Sequence, residues 1–144
     1  MAMSSPAIGV KDLLVAASVG TFASTTGWNI SVGKFPTSPD TSIVCNETGG
    51  LSPYPHLRLN FPSVQVMVRG SANGYVAASE KIRAVVDALL GIPSQSLNGD
   101  EWQGIRQMGD VSFIGYDESN RPLFTSNFSI IVEPKAGGYR QAIA

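Results

Sequence analysis

Residues 63–92, SVQVMVRGSANGYVAASEKIRAVVDALLGI, carry two different periodicities back to back, and together they restrict the chain more than any other stretch does. Val64, Val66 and Val68 alternate with Gln65 and Met67, the period-two pattern of a strand with one buried face. Arg69 and Gly70 end that strand. From Tyr75 onward, Tyr75, Ala78, Ile82, Val85, Val86 and Leu89 recur at helical spacing, so a helix that buries one stripe follows directly. Ser71 or Asn73 is expected to cap its start by accepting an orphan backbone N–H, and Gly91 and Pro93 are expected to stop it. Glu80, Lys81, Arg83 and Asp87 fall on the other face, which is expected to be solvated, with Glu80–Arg83 and Arg83–Asp87 pairs.

The remaining elements arrange themselves around this unit. Residues 1–9 are small and polar and read as a flexible N-terminal arm. Val10, Leu13, Leu14 and Ala17 match helical spacing; Asp12 beside the run and a lone Lys11 favour a first amphipathic helix over the apolar part of a signal peptide. Trp28, Ile30 and Val32 alternate as a strand, with Trp28 assigned to the core, and residues 41–46 form a second. Gly49, Gly50, Pro53 and Pro55 then predict a loop, and Leu57, Leu59 and Phe61 a strand broken at Pro62. Beyond Pro93 the run SQSLNGDE reads as a polar connection, and 105–108 as a weak strand. Residues 111–116 and 124–132 alternate on either side of turn residues 117–122, which is a hairpin, and 135–144 reads as a flexible C-terminal tail. The predicted fold is therefore α+β, one domain, a mostly antiparallel sheet flanked by two helices in the order α-β-β-(β)-β-α-β-β.

Composition narrows the function classes. The 144 residues suffice for one domain with a core of its own. Ten basic residues against eleven acidic ones leave a formal net charge of −1, which supplies no long-range attraction for phosphate backbones. A charged fraction of 15% is low, as expected of a chain whose surface meets other proteins. With one cysteine and one histidine the chain can form neither an internal disulfide nor a zinc site of the Cys/His kind, and Cys45 reads as a buried hydrophobe in a reducing compartment. His56 lies in the proline-flanked loop and reads as structural or solvent-facing. There is no Gly-x-Ser-x-Gly elbow and no phosphate-binding glycine motif, and the acidic pairs Asp100-Glu101 and Asp117-Glu118 read as solvated turns. The Asn-x-Ser/Thr triplets at Asn29, Asn46 and Asn127 read as coincidence, two of them inside strands. No stretch is long enough for a membrane span, and no cofactor, metal or catalytic constellation is expected.

The run PYPHLRLNFPSVQVMVRG followed by GYVAASEKIRAVVDALLGI resembles the centre of the phage minor-capsid and tail-terminator (tail completion) family, which shares the order proline, alternating valines, Arg-Gly, Tyr, amphipathic helix. The resemblance covers about the middle third of the chain. It implies a small α+β subunit and a structural virion role: a homo-hexameric ring that caps the tail tube, ends its polymerisation and joins it to the head connector. The partners so implied are copies of the chain, the tail-tube protein and the head-tail connector protein, with DNA passing through the lumen unbound and assembly in the host cytoplasm. Candidate interface residues are Trp102, an amphipathic ring between polar neighbours, and Arg58, Arg69 and Arg106, of which Arg69 matches the family pattern by position. The alternatives are a head-completion or neck protein and, from another class, a small cytoplasmic enzyme or ligand-binding domain.

Overall fold

The alternating valines do what their period requires: Val64, Val66 and Val68 are each 0% exposed, beneath two helices. The computed structural model describes residues 3–54 and 58–134. It contains α1 (Pro6–Ala16), β1 (Thr21–Phe22), β2 (Asn29–Val32), β3 (Ser42–Tyr54), β4 (Leu59–Arg69), α2 (Tyr75–Leu90), β5 (Gln95–Leu97), β6 (Asp100–Tyr116) and β7 (Pro122–Glu133). The strands form one seven-stranded sheet in the order β1-β2-β3-β4-β7-β6-β5. Its centre, β3-β4-β7-β6, is antiparallel throughout, while β1 and β2 join β3 in parallel. The expected α+β domain with a mostly antiparallel sheet is the fold observed.

Both helices lie on one face and touch each other. From α1 come Val10, Leu13 and Leu14, and from α2 Ala78, Ile82, Val85 and Leu89; these meet Ile43 and Cys45 of β3, the three valines of β4, and Phe124, Phe128, Ile130 and Val132 of β7. Helix α1 begins at Pro6, inside the segment expected to be a loose arm. The reason is local: Ser5 accepts the Ile8 N–H as N-cap, and Pro6 stands at the first helical position, where a missing N–H costs nothing. The tail expected at 135–144 lies outside the described residues.

Helix α2 departs from expectation at its start and on its outer face. Its N-cap is Gly74, with no side chain bonding to the first turn, so neither Ser71 nor Asn73 caps it. Arg83 pairs with Asp110 of β6 at 3.2 Å, across the fold instead of along the helix. Lys81 is half-buried; its ammonium donates to the Val19 carbonyl at 3.0 Å and sits 5.2 Å from the centre of the Trp28 ring, which burial against the core keeps in place.

Three stretches read as loop or as broken strand belong to the sheet. Residues 49–54 belong to β3, where Gly50 pairs with Pro62 of β4. Gly50 has φ +97°, and a Cβ there would run into the backbone of Phe61 and Ser63, so the glycine permits a close strand approach rather than a loop. Pro62 does not break its strand, because β4 runs through it and, between Asn60 and Arg69, the β4–β7 ladder omits only Phe61 and Pro62. The polar run after Pro93 folds into a tight hairpin: β5 pairs with the start of β6 around Asn98 and Gly99, both at positive φ, as a two-residue turn of this kind demands. The weak strand at 105–108 is the middle of the long β6, which reaches Tyr116 with bulges between Trp102 and Gly104, Met108 and Ser112, and Phe113 and Gly115.

Two outcomes test this core. Ile82→Asp places an unpaired carboxylate at a position 0% exposed. Against a total stability of roughly 5–15 kcal/mol such a charge abolishes the folded state. Arg83→Asp, on the exposed face, lowers the melting temperature by no more than about 4 °C. Equal effects in a thermal melt would show the helix face to be misassigned. Burial pushes the Cys45 thiol up to about 12. A thiol reagent at neutral pH therefore leaves Cys45 unmodified in the native protein and modifies it fully after denaturation.

Candidate functional site

The helices cover one face of the sheet, so the exposed strand surfaces are the places where this chain can meet something else. Two of the carboxylates are committed to the framework. Asp117 accepts from the N–H groups of Ser119 and Arg121 and from Arg121 Nε at 2.7 Å, closing the β6–β7 turn. Its carboxyl pKa is held down: burial pushes it up, but these hydrogen bonds outweigh that. Asp100, read as a solvated turn, is 1% exposed and accepts the Ser4 N–H at 2.9 Å, which anchors the lead into α1. Among the described residues no group of three or more His, Cys, Asp or Glu side chains stands close enough to hold a metal ion. His56 lies outside the described residues.

The four candidate interface residues go to four different places. Trp102 is 5% exposed, with its ring packed under Gly9 of α1 and beside Leu97. Its polar neighbours in sequence point elsewhere because β6 alternates, so within the subunit the ring belongs to the core. Arg69 is 4% exposed at the other end of the sheet. Its Nε donates to the Asp40 carbonyl at 2.9 Å and its second guanidinium nitrogen donates to the Pro36 and Pro39 carbonyls at 2.8 Å, with Phe35 stacked 4.8 Å from the guanidinium carbon. It straps the connection between β2 and β3 across the face opposite the helices. Burial, with a smaller contribution from Arg121, lowers its pKa without removing the charge of a guanidinium. Arg58 is half-buried at φ +54°, and its Nε has no hydrogen-bond partner among the described residues. Arg106 alone of the four is exposed.

Arg106 stands on the face turned away from the helices. Below the strap held by Arg69, that face is lined by Asn46, Gln65, Asn127, Ser129, Met108 and Arg106, with Leu51, Phe61 and Ile131 at one end. It is mostly polar and neutral, its charged side chains being Arg106 and, beyond Ile131, the facing Glu101 and Glu133. On the helix side, Tyr75 at the start of α2 meets Phe113 and Phe124 edge-on at 5.0 Å, and Phe113 meets Tyr116 at 5.4 Å. Tyr75, Phe113 and Tyr116 nonetheless remain 43%, 41% and 51% exposed.

The features that sequence reasoning missed are backbone ones. Among the described residues, β3 has no strand on its outer side past Cys45, because β2 pairs only with 42–45. Past Trp102, β6 has none either among them, because β5 pairs only with 100–102. Both strands therefore present long unpaired edges, which are ready templates for another strand. The nearness of the weak strand at 105–108 to the alternating run at 111–116, together longer than one short neighbour can pair, was the available signal.

Two comparisons with known proteins bear on this surface. A chain from a solved structure described as the virion of a native gene transfer agent particle shares the fold, with a TM-score of 0.59 at 17% identity over 90% of this chain and 95% of that one. No curated protein sequence matches. No helix among the described residues is long and apolar enough to cross a membrane. The family described as bacteriophage tail terminator protein matches residues 12–134, a span that takes in the end of α1, all of α2, the strap and the whole sheet, and the chain thus belongs to that family of structural virion proteins.

Proposed function

We propose that this protein caps the tail tube of a long-tailed phage or phage-like particle, ends its polymerisation and joins it to the head connector. The family match over residues 12–134 carries this reading. The protein acts by assembly and docking and not by catalysis; the commitment of Asp117 and Asp100 to turn and helix geometry, and of Cys45 to the core, fits that role. It assembles in the host cytoplasm as a closed head-to-tail ring, six copies being the number expected from the resemblance, with the tail-tube protein on one side and the connector on the other. Closure is a functional requirement, because a head-to-tail contact that does not close generates a filament and would extend the tube.

DNA has to pass through such a ring without being held. Every phosphate contact adds to binding and to its salt dependence, so a lumen rich in Lys and Arg would act as a brake. The sheet face away from the helices, with Asn, Gln, Ser and Met side chains around Arg106 and the carboxylates of Glu101 and Glu133 at one end, suits a lumen lining, and a net charge of −1 agrees with it. Particles assembled without this protein carry tails of irregular, overgrown length when measured by electron microscopy. Tails of normal and uniform length in its absence would overturn the reading.

A further inference from the structure

The two unpaired edges of this chain match each other. Row by row across the sheet, Asn46 of β3 pairs with Gln65, Gln65 with Asn127, and Asn127 with Met108 of β6. One step along, Glu47, Val64, Phe128 and Gln107 form a second row, and Gly49, Ser63, Ser129 and Arg106 a third. The free parts of the two outer strands therefore stand at the same height in the molecule. They also run in opposite directions, since β3, β4, β7 and β6 alternate. The free run of β6 opens just past Gln103, whose carbonyl is taken by Ser94 Oγ at 2.9 Å.

We propose that residues 104–108 of one subunit pair antiparallel with residues 46–50 of the next, so that the sheet continues from chain to chain; this deepens the ring reading above and rests on it. Antiparallel pairing needs two strands of opposite sense, and a second copy turned about an axis along the strands offers them at equal height. With Met108 set against Asn46, Gln107 faces Glu47, and Arg106 meets the bulge that Thr48 and Gly49 form in β3. Each pair then combines residues of the same sheet face and no like charges meet. Two-fold pairing of 104–108 with itself about its centre would set Arg106 against its own copy, which is repulsive. A contact of β6 with β3 uses different surfaces on the two subunits, as a ring requires. It satisfies both edges at once, where a two-fold dimer leaves one of them open.

The test is a disulfide placed across the join. Within one chain positions 46 and 108 are three strand spacings apart, about 14 Å, far beyond what a disulfide spans, so a bond between them links two subunits. Cys45, buried on the helix side, does not compete. The double variant Asn46→Cys/Met108→Cys, oxidised as purified full chain and again in assembled particles, is expected to run as a ladder of covalent oligomers on a non-reducing gel and to collapse to monomer on reduction. Either single variant alone stays monomeric, and an equal mixture of the two gives dimers and nothing larger. Covalent dimers of Met108→Cys by itself would show two-fold pairing of β6 and overturn the proposal. So would an uncrosslinked double variant whose native mass is that of a ring. The outcome is separable from the terminator reading: a ladder together with normal tails in particles lacking the protein would sustain the pairing and sink the capping role.

Discussion

Everything in this fold depends on the burial of one stripe of β4 beneath two helices. Val64, Val66 and Val68 are central in the sheet and 0% exposed, and both α1 and α2 close over them. Fully burying an aliphatic side chain contributes roughly 1.5–3 kcal/mol, so the three valines together supply a large part of the margin of a small domain. The contact also sets the register. A slip of one residue would bring Gln65 and Met67 under the helices and turn every valine outward.

Placing both helices on one side has a consequence for the other. The opposite face is left to the connection between β2 and β3, which covers only its upper part and is held there by a buried arginine. Arg69 spends its guanidinium on three backbone carbonyls, at Pro36, Pro39 and Asp40. Those carbonyls belong to an irregular segment that has no ladder to satisfy them, and a charged fork with several donors serves them better than a neutral side chain would. What remains below the strap is a mostly neutral sheet surface bounded by two open edges. That combination suits a subunit whose stability and function both draw on neighbouring copies.

The sheet is also unusual in how unevenly it is finished. Its outermost strands, β1 and β5, span only Thr21–Phe22 and Gln95–Leu97, whereas the strands that would need covering, β3 and β6, run for 13 and 17 residues. Bulges interrupt both long strands and blunt parts of their edges, but 104–108 lies in regular register between two of them.

The sequence by itself determined the elements whose periodicity reflects a buried stripe: β4 at its valines, α2 through Ala78, Ile82, Val85 and Leu89, the β6–β7 hairpin, and with them the α+β class and the family resemblance. Periodicity is legible there because burial repeats every two or every 3.6 residues. It failed where a residue's partner is distant in the chain. Trp102 read as an interface candidate because its neighbours are polar, yet α1 closes over it at Gly9; Arg69 read as another, yet a loop some thirty residues earlier in the chain wraps it. Gly50 and Pro62 read as breakers and turned out to face each other in a ladder, since their fit depends on the strand opposite. Only the tertiary structure decided which strand edges stay open and at what height, because an edge is defined by the strand that is missing beside it, and no local pattern of side chains encodes that.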